Sequence, residues 1–131
     1  MKKLRILLVE DQLSERLNIM KVLNEYGAHV DTAVTFSRAR DLAQSNQYDL
    51  VISELLLNHC PELQGDGVQF WNFFSQLHPK TPLIMVAEEN MRLLTEFITQ
   101  AGACPPIYSK PIAGVALKEI LDLEFAFEKS A

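Results

Sequence analysis

Short apolar runs that end on acidic residues alternate with stretches of helical spacing along the chain. Leu4 to Val9 is almost entirely apolar and stops at Glu10-Asp11, the pattern of a strand buried on both faces of a parallel sheet. Behind it Ser14 is a candidate N-cap. Leu17, Met20, Val22, Leu23 and Tyr26 carry helical spacing up to Gly27, a candidate C-cap. His29 to Ala33 predicts a second strand, and Thr35 can cap a helix that puts Ala39, Leu42 and Ala43 on one face. Tyr48 to Ser53 predicts a third strand, ending on the acid Glu54. A loop containing Pro61, Gly65 and Gly67 then leads into an aromatic-rich helix with Val68, Phe70, Trp71, Phe73, Phe74 and Leu77. Pro79 and Pro82 bracket its exit. Leu83 to Ala87 predicts a fourth strand, Met91 to Ala101 a fourth helix closed by Gly102, and Ile107 to Ser109 a short fifth strand. A fifth helix is expected from Ala113 to Phe127.

Strand and helix thus alternate five times with short connections, the order of a doubly wound α/β fold: a five-stranded parallel sheet with helices on both faces. Right-handed crossovers place the C-terminal ends of all parallel strands on one sheet edge, and chemistry gathers at that edge. With 131 residues and no repeat, linker or low-complexity tract, residues 1–131 read as a single domain. A chain of this length buries about 68% of its unfolded surface, enough for one core. The formal charge of −5 disfavours direct binding of nucleic acid. Two cysteines, Cys60 and Cys104, make neither a disulfide framework nor a metal-ligand spacing, so a reducing, cytoplasmic setting is expected. The apolar run after Met1-Lys2-Lys3 is too short for a signal peptide, and no window is long enough to cross a membrane.

Three strands deliver charged groups to the shared edge: Glu10 and Asp11 after the first, Glu54 at the end of the third, and Lys110 after the fifth. Carboxylates brought this close repel unless a cation lies among them. Oxygen donors of this kind suit a hard divalent ion such as Mg²⁺. Each residue alone reads as an ordinary strand end or surface charge; their joint placement favours a site.

The chain resembles the receiver domains of bacterial two-component response regulators. The resemblance spans nearly all of it. It rests on Leu7-Leu8-Val9-Glu10-Asp11, Tyr48-Asp49-Leu50-Val51-Ile52-Ser53-Glu54, Asp66-Gly67, Ala101-Gly102-Ala103 and Lys110-Pro111. It implies a flavodoxin-like receiver fold with strand order 2-1-3-4-5. It also implies a signalling module rather than an enzyme, with Glu10, Asp11 and Glu54 as the Mg²⁺ site and Glu54 at the phospho-acceptor position. Lys110 is then the lysine that stabilises the phosphoryl group, and Lys110-Pro111 is a candidate cis peptide. A serine or threonine ending the fourth strand and an aromatic on the fifth relay the switch in that family.

This chain departs from the pattern at each moving part. Glu54 stands where the family has aspartate. Its extra methylene moves the carboxylate by ~1.5 Å, which should cost orders of magnitude in a reaction that depends on positioning. The same reach lets Glu54 pair with Lys110 directly. Ala87 takes the place of the switch hydroxyl and Ile107 that of the switch aromatic, with Tyr108 able to stand in only through a change of register, which would flip its face. Glu54 is a poor mimic of a phosphorylated acceptor, since one carboxylate charge replaces about 1.5–2 on a phosphoryl group. The segment from Leu55 to Gly65 is an insertion relative to the family, expected to form an enlarged loop over the pocket; adjacent His59 and Cys60 do not suffice as a metal site.

The sequence therefore favours a receiver-like module that acts by protein–protein interaction without phosphorylation. Its expected partner is a histidine kinase, an output domain or another signalling protein. Met91, Leu93, Leu94, Phe97 and Ile98 exceed one buried face, so a homodimer through the fourth-to-fifth-helix face is a candidate, and Phe125 and Phe127 raise the same question. The alternative is a working Mg²⁺-dependent phospho-acceptor of a phosphorelay. A flavodoxin-type small-molecule binder is weakest, because Gln12-Leu13-Ser14 is no phosphate loop.

Overall fold

The computed structural model describes residues 3–55, 66–88 and 105–130. Five parallel strands form one sheet in the order β2-β1-β3-β4-β5, the arrangement expected from the sequence. They are β1 (Arg5–Val9), β2 (His29–Ala33), β3 (Leu50–Glu54), β4 (Leu83–Ala87) and β5 (Ile107–Ser109). The helices among the described residues are α1 (Leu13–Tyr26), α2 (Phe36–Ser45), α3 (Asp66–Leu77) and the C-terminal α4 (Gly114–Ser130). The helix expected over 91–101, residues 56–65 of the expected loop, and both cysteines lie outside the described residues.

The strand sequences explain the order. β3 (LVISE) and β4 (LIMVA) are buried at every position and β1 (RILLV) at all but its first, because a central strand meets a strand on each side and a helix layer on each face. The polar β2 (HVDTA) and the short β5 (IYS) occupy the two edges and stay partly exposed. Alternation along each strand then divides the core in two. Leu7, Val9, Val51, Met85 and Ala87 face α2 and α3, where Ala39, Ala43, Phe70 and Phe74 fill the space. Ile6, Leu8, Ile52, Ile84 and Val86 face α1 and α4, meeting Ile19, Leu23, Leu117 and Leu121. Phe36, Phe70 and Phe74 follow one another at ring-centroid distances of 5.8 and 6.0 Å and tie α2 to α3.

The local signals hold at most ends. Gly27 closes α1 with φ of 95°, a left-handed cap that suits glycine. The Thr35 side chain accepts from the Arg38 N–H at 3.1 Å and starts α2. Ser14 does not cap α1: the N-cap is Gln12, without a side-chain cap bond. The expected β3 start at Tyr48 is also corrected, to Leu50. Tyr48 instead donates to Asp31 at 2.7 Å in a network with Arg5, whose Nη2 reaches Asp31 at 3.3 Å. Two apolar residues not assigned to the core from sequence belong to it. Leu55, expected at the start of the enlarged loop, is fully buried, and Phe125, left open between core and contact surface, packs on the α1/α4 side.

A charged triad buried at the C-terminal sheet edge

Backbone bonds set the stage for the side chains. The Glu10 N–H donates to the Ala33 carbonyl at 3.0 Å, extending β1 against β2 by one residue. The Leu55 N–H donates to the Val86 carbonyl at 3.0 Å and fixes the end of β3, where Glu54 sits. The Lys110 N–H donates to the Ala87 carbonyl at 2.8 Å, so the lysine leaves β5 beside the end of β4. Three strand ends are thereby locked in register, and their charged side chains converge.

The Lys110 ammonium meets Glu10 Oε1 at 2.7 Å and also contacts Glu54 Oε2. The three side chains are 4%, 2% and 5% exposed, respectively. Glu10 spends its second oxygen locally, Oε2 accepting from the Gln12 N–H at 3.3 Å. Among the described residues Glu54 Oε2 has no partner other than the ammonium. Asp11 lies next to Glu10 in the β1–α1 loop, partly exposed.

One cation between two buried carboxylates leaves one negative charge too many for a low-dielectric site. Burial accordingly pushes the Glu54 carboxyl up to about 8; Lys110 pulls against this, and the neighbouring Glu10 reinforces the rise. Burial also works against the Lys110 charge, yet its hydrogen bonds to Glu10 and Glu54 outweigh it and its pKa is raised. Glu54 therefore holds its proton more tightly than an ordinary carboxyl, beside a lysine that holds its charge more tightly than an ordinary amine.

The sequence brought Glu10, Glu54 and Lys110 to one edge, and the structure places all three in contact. It missed Arg16, whose Nη1 donates to the carbonyls of Glu10 and Asp11 at 3.1 and 3.4 Å and clamps the loop from the α1 side. A cation one helical turn beyond a pair of acids was the available signal. It also missed the close approach at Gly67, whose N–H donates to the Leu55 carbonyl at 3.1 Å. A Cβ there would strike that carbonyl, so only glycine lets α3 start this near the end of β3.

The strand register separates Ile107 from Tyr108. Ile107 pairs with Met85 and packs on the α2/α3 side, the side that Ala87 faces. Tyr108 pairs with Val86 and packs on the α1/α4 side. The last residue of β4 is a buried methyl; its register partner on β5 is the exposed Ser109, and Ile107 lies two residues earlier on the same face. The Lys110–Pro111 peptide is cis.

The family model described as the response regulator receiver domain matches residues 6–122. Solved structures agree on the fold. A receiver protein from Sinorhizobium medicae is 18% identical with a TM-score of 0.78, and the match covers 95% of this chain and 96% of that one. For a CheY-like receiver domain from Methanospirillum hungatei the values are 22% and 0.77, covering 99% and 100%. For the Vibrio cholerae chemotaxis protein CheY4 they are 23% and 0.74, covering 93% and 98%. Among curated protein sequences none matches.

Proposed function

The chain belongs to the response regulator receiver family, and from that premise we propose that it is a signalling module of two-component systems whose phosphorylation switch is silent. It acts by contact with a protein partner, a histidine kinase, an output domain or another signalling protein. Glu54 stands at the phospho-acceptor position and Lys110 at that of the phosphoryl-stabilising lysine. Ala87 and Ile107 stand at the two relay positions, with Tyr108 on the opposite face of the sheet.

The observation that carries this reading is the buried contact of Lys110 with both Glu10 and Glu54. A receiver that accepts a phosphoryl group needs its acceptor oxygen open to attack and its lysine available to the incoming group. Here the carboxylate that would attack is capped by the ammonium that would stabilise the product. Ala87 reinforces the reading, since a methyl group offers no hydrogen bond to a phosphoryl oxygen. Leu13 and Leu17, one turn apart on α1 and both more than half exposed, put apolar surface beside the β1–α1 loop and favour protein contact.

Receiver domains commonly bind Mg²⁺ at the phosphorylation site. Glu10, Asp11 and Glu54 are the oxygen donors such an ion takes, but their arrangement does not fit it. Both oxygens of Glu10 are engaged, by Lys110 and by the Gln12 N–H, and Glu54 faces the same ammonium. No step of the proposed function runs through a metal. No helix among the described residues is long and apolar enough to cross a membrane.

Incubation of the chain with Mg²⁺ and a small acyl-phosphate donor, followed by intact-mass spectrometry, tests the proposal. The wild type should gain no phosphate, whereas Glu54→Asp, with the shorter acceptor, should. Stoichiometric uptake by the wild type would instead make the chain a working phospho-acceptor.

A further inference from the structure

We infer that the Lys110 ammonium takes the place of the divalent cation in this pocket, and that the length of Glu54 is what puts it there. The inference rests on the proposed assignment of Glu54 and Lys110 and deepens it.

Three observations converge. The first is reach. Lys110 is anchored by its N–H on Ala87 at the end of β4, so its ammonium enters from the β5 side. Glu54 projects from β3, and Glu10 from the end of β1 on the far side of β3. An ammonium touching both carboxylates therefore spans from β5 across to β1. With one methylene fewer at position 54, the carboxylate would withdraw toward β3 by ~1.5 Å and leave the space between the acids to another cation.

The second is donor use. A small divalent ion demands near-octahedral oxygen and gives up its waters reluctantly. Both oxygens of Glu10 and Oε2 of Glu54 face a nitrogen cation or a backbone N–H instead. The third is burial. Side chains 2–5% exposed leave little room for the water shell that such an ion keeps. The protein thus carries its own cation, covalently tethered, and the pocket becomes indifferent to the metal in solution.

The test is thermal unfolding of the full chain in EDTA and in increasing MgCl₂ or MnCl₂ at constant ionic strength. A ligand that binds only the folded state raises the melting temperature in a saturable way. The wild type should show no saturable shift with either ion. Glu54→Asp should gain one of several degrees. Lys110→Met, which keeps all three acids and removes the tethered cation, should gain one as well. If Lys110→Met does not fold, Glu54→Asp decides alone. A saturable shift in the wild type matching that of Glu54→Asp would overturn the inference, as would a Glu54→Asp variant as unresponsive as the wild type. Phosphate uptake is read separately by mass. A wild type that binds Mg²⁺ but takes up no phosphate overturns this inference and leaves the proposed function standing; uptake of phosphate overturns the function.

Discussion

Removing the lysine from the buried triad should be among the most damaging single changes in the protein. Lys110→Met keeps the length and apolar volume of the stem but deletes the ammonium that contacts Glu10 and Glu54. All three side chains are at least 95% buried by the exposures given above, so water cannot replace the lost partner. Breaking a buried pair by removing one member costs roughly 3–5 kcal/mol, against a total stability of about 5–15 kcal/mol for a domain. At this chain length that corresponds to a fall in melting temperature on the order of 10–20 °C. Urea unfolding at neutral pH, followed by the fluorescence of Trp71, the single tryptophan, and by far-UV circular dichroism, would measure it. The double variant Lys110→Met/Glu54→Gln should recover a measurable part, because glutamine cannot ionise beside Glu10 in the emptied site; coupling within such a cluster is about 0.5–3 kcal/mol. A loss below about 1 kcal/mol for Lys110→Met, the range of exposed ion pairs, would refute the triad as a buried, interdependent unit.

Three further outcomes are expected. Glu54 is held at about 8 in the folded chain against an ordinary value of 4.5. The folded state therefore binds this proton more tightly, and the contribution is present at low pH and lost as pH rises through about 8. Melting temperatures of the wild type should fall relative to those of Glu54→Gln between roughly pH 5 and 9, and parallel profiles would count against the buried acid. Gly67→Ala should destabilise by about 1–3 kcal/mol, since its Cβ meets the Leu55 carbonyl. Gly114→Ala, whose Cβ would sit 3.5 Å from Val22 Cγ2, should be neutral or slightly stabilising; equal effects in urea unfolding would contradict the close approach at Gly67. Tyr48→Phe removes the 2.7 Å bond to Asp31 and should cost about 1–2 kcal/mol, read in the same assay; no loss would mean the hydroxyl is equally well served by water.

The alternation of strand and helix was legible in the hydrophobic pattern, and the strand order 2-1-3-4-5 came from the resemblance to receiver domains. Burial agrees with it: the continuous apolar run Leu83–Ala87 is central, and the polar His29–Ala33 is an edge. The site was legible because topology sends every strand end to one rim, so Glu10, Glu54 and Lys110 needed only to be counted to the right ends. What the sequence could not give was pairing at ångström scale. Whether Glu54 would meet Lys110, hold a metal or turn to solvent depends on reach and burial, and neither is written in residue type. Leu55 and Phe125 were not assigned to the core for a related reason. A single apolar residue next to a loop or a chain end has no periodic neighbours to declare its face, and only packing against Gly67 and α3, or against the α1 side, assigns it. Arg16 escaped although it stands one helical turn beyond the two acids, because it binds the backbone carbonyls of Glu10 and Asp11 rather than their side chains.

The central claim is that the pocket holds one state, closed by its own lysine. Backbone amide NMR spectra of the wild type, recorded before and after addition of Mg²⁺ and an acyl-phosphate donor, test it most directly. The account predicts superimposable spectra, with the amides of Glu54, Ala87 and Lys110 unmoved. Concerted shifts of those three amides, spreading to β5, would show a pocket that opens, accepts the group and switches, and would contradict it.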